Sequence, residues 1–270
     1  MKKKGRRVLF CCLAVVFAVS TGALLLQLLD KAGGKSTYQD ALKVATGETV
    51  SPQPSPASEP EEAAPLWIPE PVEGDPVMEE MAAISLAALR KKNPDVVGWI
   101  RIPGTEVDYP LMQGTDNDYY LERTWDGQIN SVGSIFLEHQ NSPDFTDYNT
   151  IVYGHNMADG SMFGGLSRYF SEIYWEQHPY IYVTSDAGVY RYEVFSAYRA
   201  GLEDPTYALS FRKTETRREF ILHALENTEV LTKIIPGFQD RILTLSTCSG
   251  AGYSSRWVVH GRLKMVETGN

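Results

Sequence analysis

Cys248 closes the run Thr244-Leu245-Ser246-Thr247-Cys248, Arg256 follows eight residues later, and His155 lies ninety-three positions upstream in Tyr153-Gly154-His155-Asn156. A thiol, a guanidinium and an imidazole supply what thiol-based acyl transfer requires: a nucleophile, a fixed cation and a proton-transfer partner. The thiolate, not the thiol, attacks a carbonyl carbon. A free cysteine has a pKa of about 8.5, so a neighbouring base or cation is needed near neutral pH. Arginine stays charged and presents a planar fork of donors, suited to a thiolate or a developing oxyanion. Histidine, with an ordinary pKa of about 6.5, can protonate a leaving amine and later take a proton from an incoming one.

Each of these residues also has an ordinary role. Free cysteines are often inert core residues, a lone arginine is commonly solvated, and most histidines are structural. The setting argues otherwise. Cys248 ends a strand-like run before the small, polar Ser249-Gly250-Ala251-Gly252, a rim position with room for substrate. His155 ends the apolar Thr150-Ile151-Val152-Tyr153 and opens into a loop, where side chains meet ligands. Arg256 starts the next strand, so a short connection returns it to Cys248. His139, His178 and His223 have no comparable setting, and His260 falls on one face of the alternating Trp257-Val258-Val259-His260-Gly261. No H-x-x-x-H or C-x-x-C spacing occurs, so no zinc site and no cofactor are expected.

The elements that must hold these groups are mostly short strands. Residues 96–102, 107–112, 133–137, 150–153, 180–184, 189–198, 241–247 and 257–265 read as β-rich runs, with Ser185-Asp186-Ala187-Gly188 as a hairpin turn. Asp75 as cap and Pro76 as first helical residue open a helix predicted over 76–92. A second helix is predicted over 214–225, from an S/T-x-x-E-like start and an apolar face of Phe220, Ile221, Ala224 and Leu225. Many short strands with few helices suggest a closed or nearly closed β-barrel, because closure removes exposed edges.

The N-terminal part is different in kind. After a basic tail, residues 1–7, the uncharged run 8–29 would make about 33 Å of helix, enough for a hydrocarbon core of about 30 Å. A cleaved signal peptide is the rival reading, with Ala18-Val19-Ser20 as a small-residue site, but the apolar run is long for one. A membrane anchor with its basic tail inside puts the rest of the chain outside the cytoplasm. Residues 30–75, with Ser51-Pro52-Gln53-Pro54-Ser55-Pro56, read as an extended Pro- and Glu-rich tether, and 76–270 as the catalytic domain. With Cys11 and Cys12 in the apolar run, Cys248 is the one exported thiol, so no intrachain disulfide forms there. The formal charge of −9 becomes −14 without the five basic residues of the tail, which excludes nucleic acid as a partner.

Thr244-Leu245-Ser246-Thr247-Cys248 with the following Arg256 resembles the T-L-x-T-C…R signature of sortases, the membrane-anchored cysteine transpeptidases of Gram-positive bacteria. Asn93-Pro94-Asp95-Val96-Val97-Gly98-Trp99-Ile100, Asp116-Asn117-Asp118-Tyr119-Tyr120-Leu121, Gly133-Ser134-Ile135-Phe136-Leu137 and the Tyr153-Gly154-His155-Asn156 region are similar to class B sortases in order and spacing. The resemblance implies a mainly-β fold: an eight-stranded sortase-type barrel with N-terminal helices and a helix in the long connection before the cysteine strand. It implies that Cys248 attacks the Thr carbonyl of a C-terminal sorting signal, resembling N-P-x-T-N, on surface proteins. A peptidoglycan amine then resolves the thioacyl enzyme. His155 is implied as general acid and base, Arg256 as oxyanion and substrate support, and Ser246 and Leu121 as sorting-peptide contacts. No metal is implied. A pilin-polymerising sortase, with a protein lysine as acceptor, and a catalytically silent membrane-tethered binding domain are the alternative readings.

Overall fold

The computed structural model describes residues 2–47, 74–248 and 254–267, with the side chains at 2–18, 24, 25 and 248 outside that description. Its strands are β1 (Val96–Arg101), β2 (Asp108–Met112), β3 (Ile135–Leu137), β4 (Asn149–His155), β5 (Tyr180–Ser185), β6 (Gly188–Gly201), β7 (Ile242–Cys248) and β8 (Ser255–Glu267). They close into a barrel in the order β1-β2-β3-β4-β7-β8-β6-β5, with β5 pairing back to β1. Two of the pairings, β2 with β3 and β4 with β7, are parallel.

Alternation along β7 shows how the strand serves two cores. Leu243 and Leu245 pack into the barrel interior, whereas Ile242 packs on the opposite side with Phe220, Ile221 and Ala224 of α5 (Thr214–Asn227). Cover on both faces buries the whole strand from Ile242 to Thr247, its hydroxyl residues Thr244, Ser246 and Thr247 included. The sequence-predicted strands are all present, with ends shifted by a few residues.

The helices differ more from expectation. Asp75 does cap α2 (Pro76–Ala82) by accepting from the Val77 N–H at 3.0 Å, but the helix predicted over 76–92 is broken. Ser85 starts a separate α3 (Leu86–Arg90), its hydroxyl accepting from the Ala88 N–H at 3.2 Å. α5 begins at Thr214, with Lys213 at its cap position, and runs two residues past the predicted end, to Asn227. A six-residue α4 (Glu172–Gln177), too short to show a helical period, was not expected.

The largest correction concerns the tether. α1 (Lys2–Thr46) is helical through the first part of the segment read as extended, and its last turns bury Tyr38, Ala41 and Ala45 against the barrel. Gly33 and Gly34 lie inside this helix although a glycine costs about 1 kcal/mol of helix propensity. In the fold, Gly34 permits close approach: a Cβ there would lie 2.7 Å from Val132 Cγ2. The rest of the expected tether, residues 48–73, lies outside the described residues. Among the described residues no helix is long and apolar enough to cross a membrane; of the run 8–29, the side chains at 8–18, 24 and 25 lie outside them.

His260, on β8, is fully buried between Thr244 Oγ1, 2.9 Å from Nδ1, and Thr206 Oγ1, 3.0 Å from Nε2. Burial, followed by the nearby His223, pushes its pKa from 6.5 down to about 3. Below pH 6.5 the unfolded chain binds a proton that the native ring refuses until about pH 3. Stability therefore falls as pH drops through this window, by up to about 1.4 kcal/mol per pH unit. Thermal melts are expected to show Tm declining from about pH 6.5 downward, with the decline flattened in His260→Gln. An unchanged slope in that variant counts against His260 as the source.

Candidate active site

Parallel pairing of β4 with β7 sets the site. The register runs from Asn149 opposite Ile242 to His155 opposite Cys248, so both chemical residues end their strands at the same rim. Antiparallel pairing of β7 with β8 places Ser246 across from Val258. The ladder ends there, and Arg256, two residues nearer the start of β8, lies beside the end of β7. The Arg256 Nη1–H donates to the Thr247 carbonyl at 3.3 Å, and Thr247 Oγ1 accepts from the Trp257 N–H at 3.0 Å. Residues almost a hundred positions apart in the chain thus meet because one parallel ladder joins them.

His155 and Arg256 border a groove of about 460 Å³ that is also lined by Leu121, Asn117, Tyr153, Leu202 and Tyr207. The Cys248 side chain lies outside the described residues, so its placement rests on the backbone register. His155 Nε2 is 2.6 Å from the Leu121 carbonyl oxygen. A carbonyl can only accept, so Nε2 carries the hydrogen and Nδ1 is the nitrogen left to gain or lose a proton. Gly133, at φ +63°, backs the ring: a Cβ there would lie 2.7 Å from His155 Cδ2 and 2.5 Å from the Leu121 oxygen. Both the backbone angle and the space demand glycine.

That crowding yields a direct expectation. Gly133→Ala should displace the imidazole and cut turnover by on the order of a hundredfold, while circular dichroism still reports a folded barrel. Retention of wild-type turnover would show that the ring tolerates movement.

The predicted residues divide. Leu121 does line the groove and also holds His155 through its carbonyl. Ser246 is fully buried instead; its hydroxyl sits 3.0 Å from the Tyr207 hydroxyl, so it reaches the groove only by supporting Tyr207. Other members escaped sequence reading. Buried Glu138 accepts from the side chains of Asn117 and, at 3.1 Å, Tyr153, fixing two groove-lining residues from below. Asn117 falls in a motif quoted above, whereas nothing in the chain near Tyr207 marks it. Of the other histidines, His139 pairs with that same Glu138, while His178 meets the Pro103 carbonyl and His223 meets Asp204. Among the described residues no cluster of His, Cys, Asp and Glu could hold a metal ion.

Comparison with known proteins agrees with this geometry. Residues 100–264 match the Sortase domain model. The chain is 36% identical to sortase B of Listeria monocytogenes over 180 residues, covering 66% of this chain and 73% of that protein. It is 34% identical to sortase B of Staphylococcus aureus over 164 residues, covering 61% of this chain and 67% of that protein. Among solved structures, the S. aureus sortase B–substrate complex superposes with a TM-score of 0.65 at 32% identity, over 67% of this chain and 85% of that one. Sortase B from Bacillus anthracis in complex with AAEK1 gives 0.69 at 28% identity, over 87% and 98%. The eight-stranded closed barrel and these matches together establish that the chain belongs to the sortase family, in its class B branch.

Proposed function

We propose that this class B sortase cleaves the C-terminal sorting signal of surface proteins after threonine, holds the upstream part as a thioester on Cys248, and transfers it to a peptidoglycan amine. The observation that carries the reading is the register pairing of His155 with Cys248 while Arg256 borders the same groove. The Cys248 thiolate attacks the threonine carbonyl carbon, and the charge that develops on oxygen is met by the Arg256 guanidinium. Imidazolium at His155 gives its Nδ1 proton to the leaving nitrogen as the C–N bond breaks. An incoming amine then attacks the thioester, Nδ1 takes back a proton, and the C–S bond breaks to return the thiolate. A fixed guanidinium beside a cysteine favours its thiolate form.

Complexes of sortase B with a substrate, from S. aureus, and with a triglycine support a peptide donor and an amine acceptor for this chain as well. The uncharged run 8–29 behind a basic tail supports a single-pass anchor, cytoplasmic N-terminus and extracellular barrel. The test is a peptide-library assay on the full chain in detergent, with and without amine acceptors, read by mass spectrometry. Amine-dependent ligation after threonine is the expected result. Preference for a protein lysine would favour pilin polymerisation, and absence of both cleavage and ligation would overturn the enzymatic reading.

A further inference from the structure

α1 lies outside the region matched by the sortase domain model, residues 100–264, yet one of its faces is fastened to the loop that holds His155. The Asp30 carbonyl accepts from the Asn130 side chain at 2.7 Å, and its carboxylate accepts from the Ser131 N–H at 3.1 Å and hydroxyl at 2.6 Å. One turn on, Gly34 brings the helix backbone against Val132. The Thr37 carbonyl accepts the Trp125 indole N–H at 2.9 Å. Buried Tyr38 donates its hydroxyl to the Gly133 carbonyl. Positions 30, 34, 37, 38, 41 and 45 share one helix face by the three- and four-residue spacing.

Gly133 links this face to the site. Its backbone lies against the imidazole on one side and takes the Tyr38 hydrogen bond on the other. The Ser134 N–H donates to the Tyr120 carbonyl at 2.9 Å, drawing the two ends of the loop together beside the Leu121 carbonyl that accepts from Nε2. Ser134 Oγ, 3.2 Å from the Tyr38 hydroxyl, donates in turn to the Arg123 carbonyl at 2.7 Å. Burial holds the Tyr38 phenol well above its ordinary pKa, so it remains a neutral donor.

We propose that Tyr38 is a positioning residue for His155: its hydroxyl pins Gly133, and Gly133 and the Leu121 carbonyl together fix the imidazole for proton transfer at Nδ1. The inference rests on the reading of His155 as the proton-transfer group. It makes the last turns of α1 part of the catalytic apparatus. Tyr38→Phe removes the hydroxyl and leaves the ring, which meets Tyr109 edge-on with centroids 5.1 Å apart.

The experiment uses the full chain in detergent, labelled with 15N-histidine. In Tyr38→Phe, kcat for amine transfer is expected to fall about tenfold with KM changed less than about twofold. The acidic limb of the pH–rate profile should move, and the His155 Nε2–H should exchange faster with solvent. Gly34→Ala lifts α1 off Val132 without touching the hydroxyl and should shift the same signals in the same direction. Wild-type kcat, pH profile and His155 exchange in Tyr38→Phe would overturn the proposal. So would a fall in Tm with no change at the imidazole, which means a structural role only. If the wild-type chain transfers nothing to amines, the functional reading fails, and the Nε2–H exchange still decides whether Tyr38 positions the ring.

Discussion

Cys248→Ala is expected to lower amine transfer by on the order of 10⁴-fold or more, because the sulfur proposed to hold the acyl group is gone. The substitution removes one sulfur at the end of β7 while the β4–β7 ladder, built from backbone bonds along Asn149–His155, stays intact. Tm should therefore stay close to wild type, and a labelled sorting peptide should still bind. Mass spectrometry with a slow acceptor supplies the check: the wild type accumulates an acyl adduct on the Cys248 peptide, and the variant shows none. Residual turnover within tenfold of wild type would place the nucleophile elsewhere.

Arg256→Lys is expected to cost about 10²–10³-fold in kcat, even though charge is conserved. One guanidinium nitrogen is already given to the Thr247 carbonyl, which leaves the rest of the planar fork to face the groove. A lysine that keeps the Thr247 contact presents a point charge with no second, fixed donor for the oxyanion. Single-turnover acylation should slow by nearly the whole factor, since both tetrahedral intermediates carry the same charge. Near-normal single-turnover rates in the lysine variant would remove Arg256 from oxyanion support.

Strand chemistry made most of the barrel legible in the chain. Runs such as Tyr180–Ser185 and Gly188–Gly201 are rich in β-branched and aromatic residues and meet at a turn, so their pairing follows from local pattern. The pairing of β4 with β7 does not. A parallel contact across so many intervening residues has no local signature; the short connection placed Arg256 by Cys248, but only side-chain chemistry, strand-end setting and motif likeness linked His155 to them beforehand. Helix ends were harder: Ser85 looks like an interior helical residue until its hydroxyl is seen capping α3. The Pro- and Glu-rich composition of 48–73 extended the tether reading back over the end of α1, where contact of Gly34 with Val132 and burial of Tyr38, Ala41 and Ala45 hold a helix. Gly133 was legible as part of a motif but not as the residue backing His155, and Glu138 escaped notice, because the importance of each lies in what it touches.

Closure of the barrel bears on how a donor peptide is gripped. Each strand has a hydrogen-bonded neighbour on both sides, from β1 round to β5 and back. Among the described residues no full-length strand is left with a whole edge of vacant amides and carbonyls, so an extended ligand gains little affinity by sheet augmentation. Discrimination among peptides then falls to side chains such as Asn117, Tyr153 and Tyr207 and to the loops that carry Leu121 and Leu202. Preference for one sequence over another should accordingly be re-engineered by changing those few positions, without disturbing the ladder beneath.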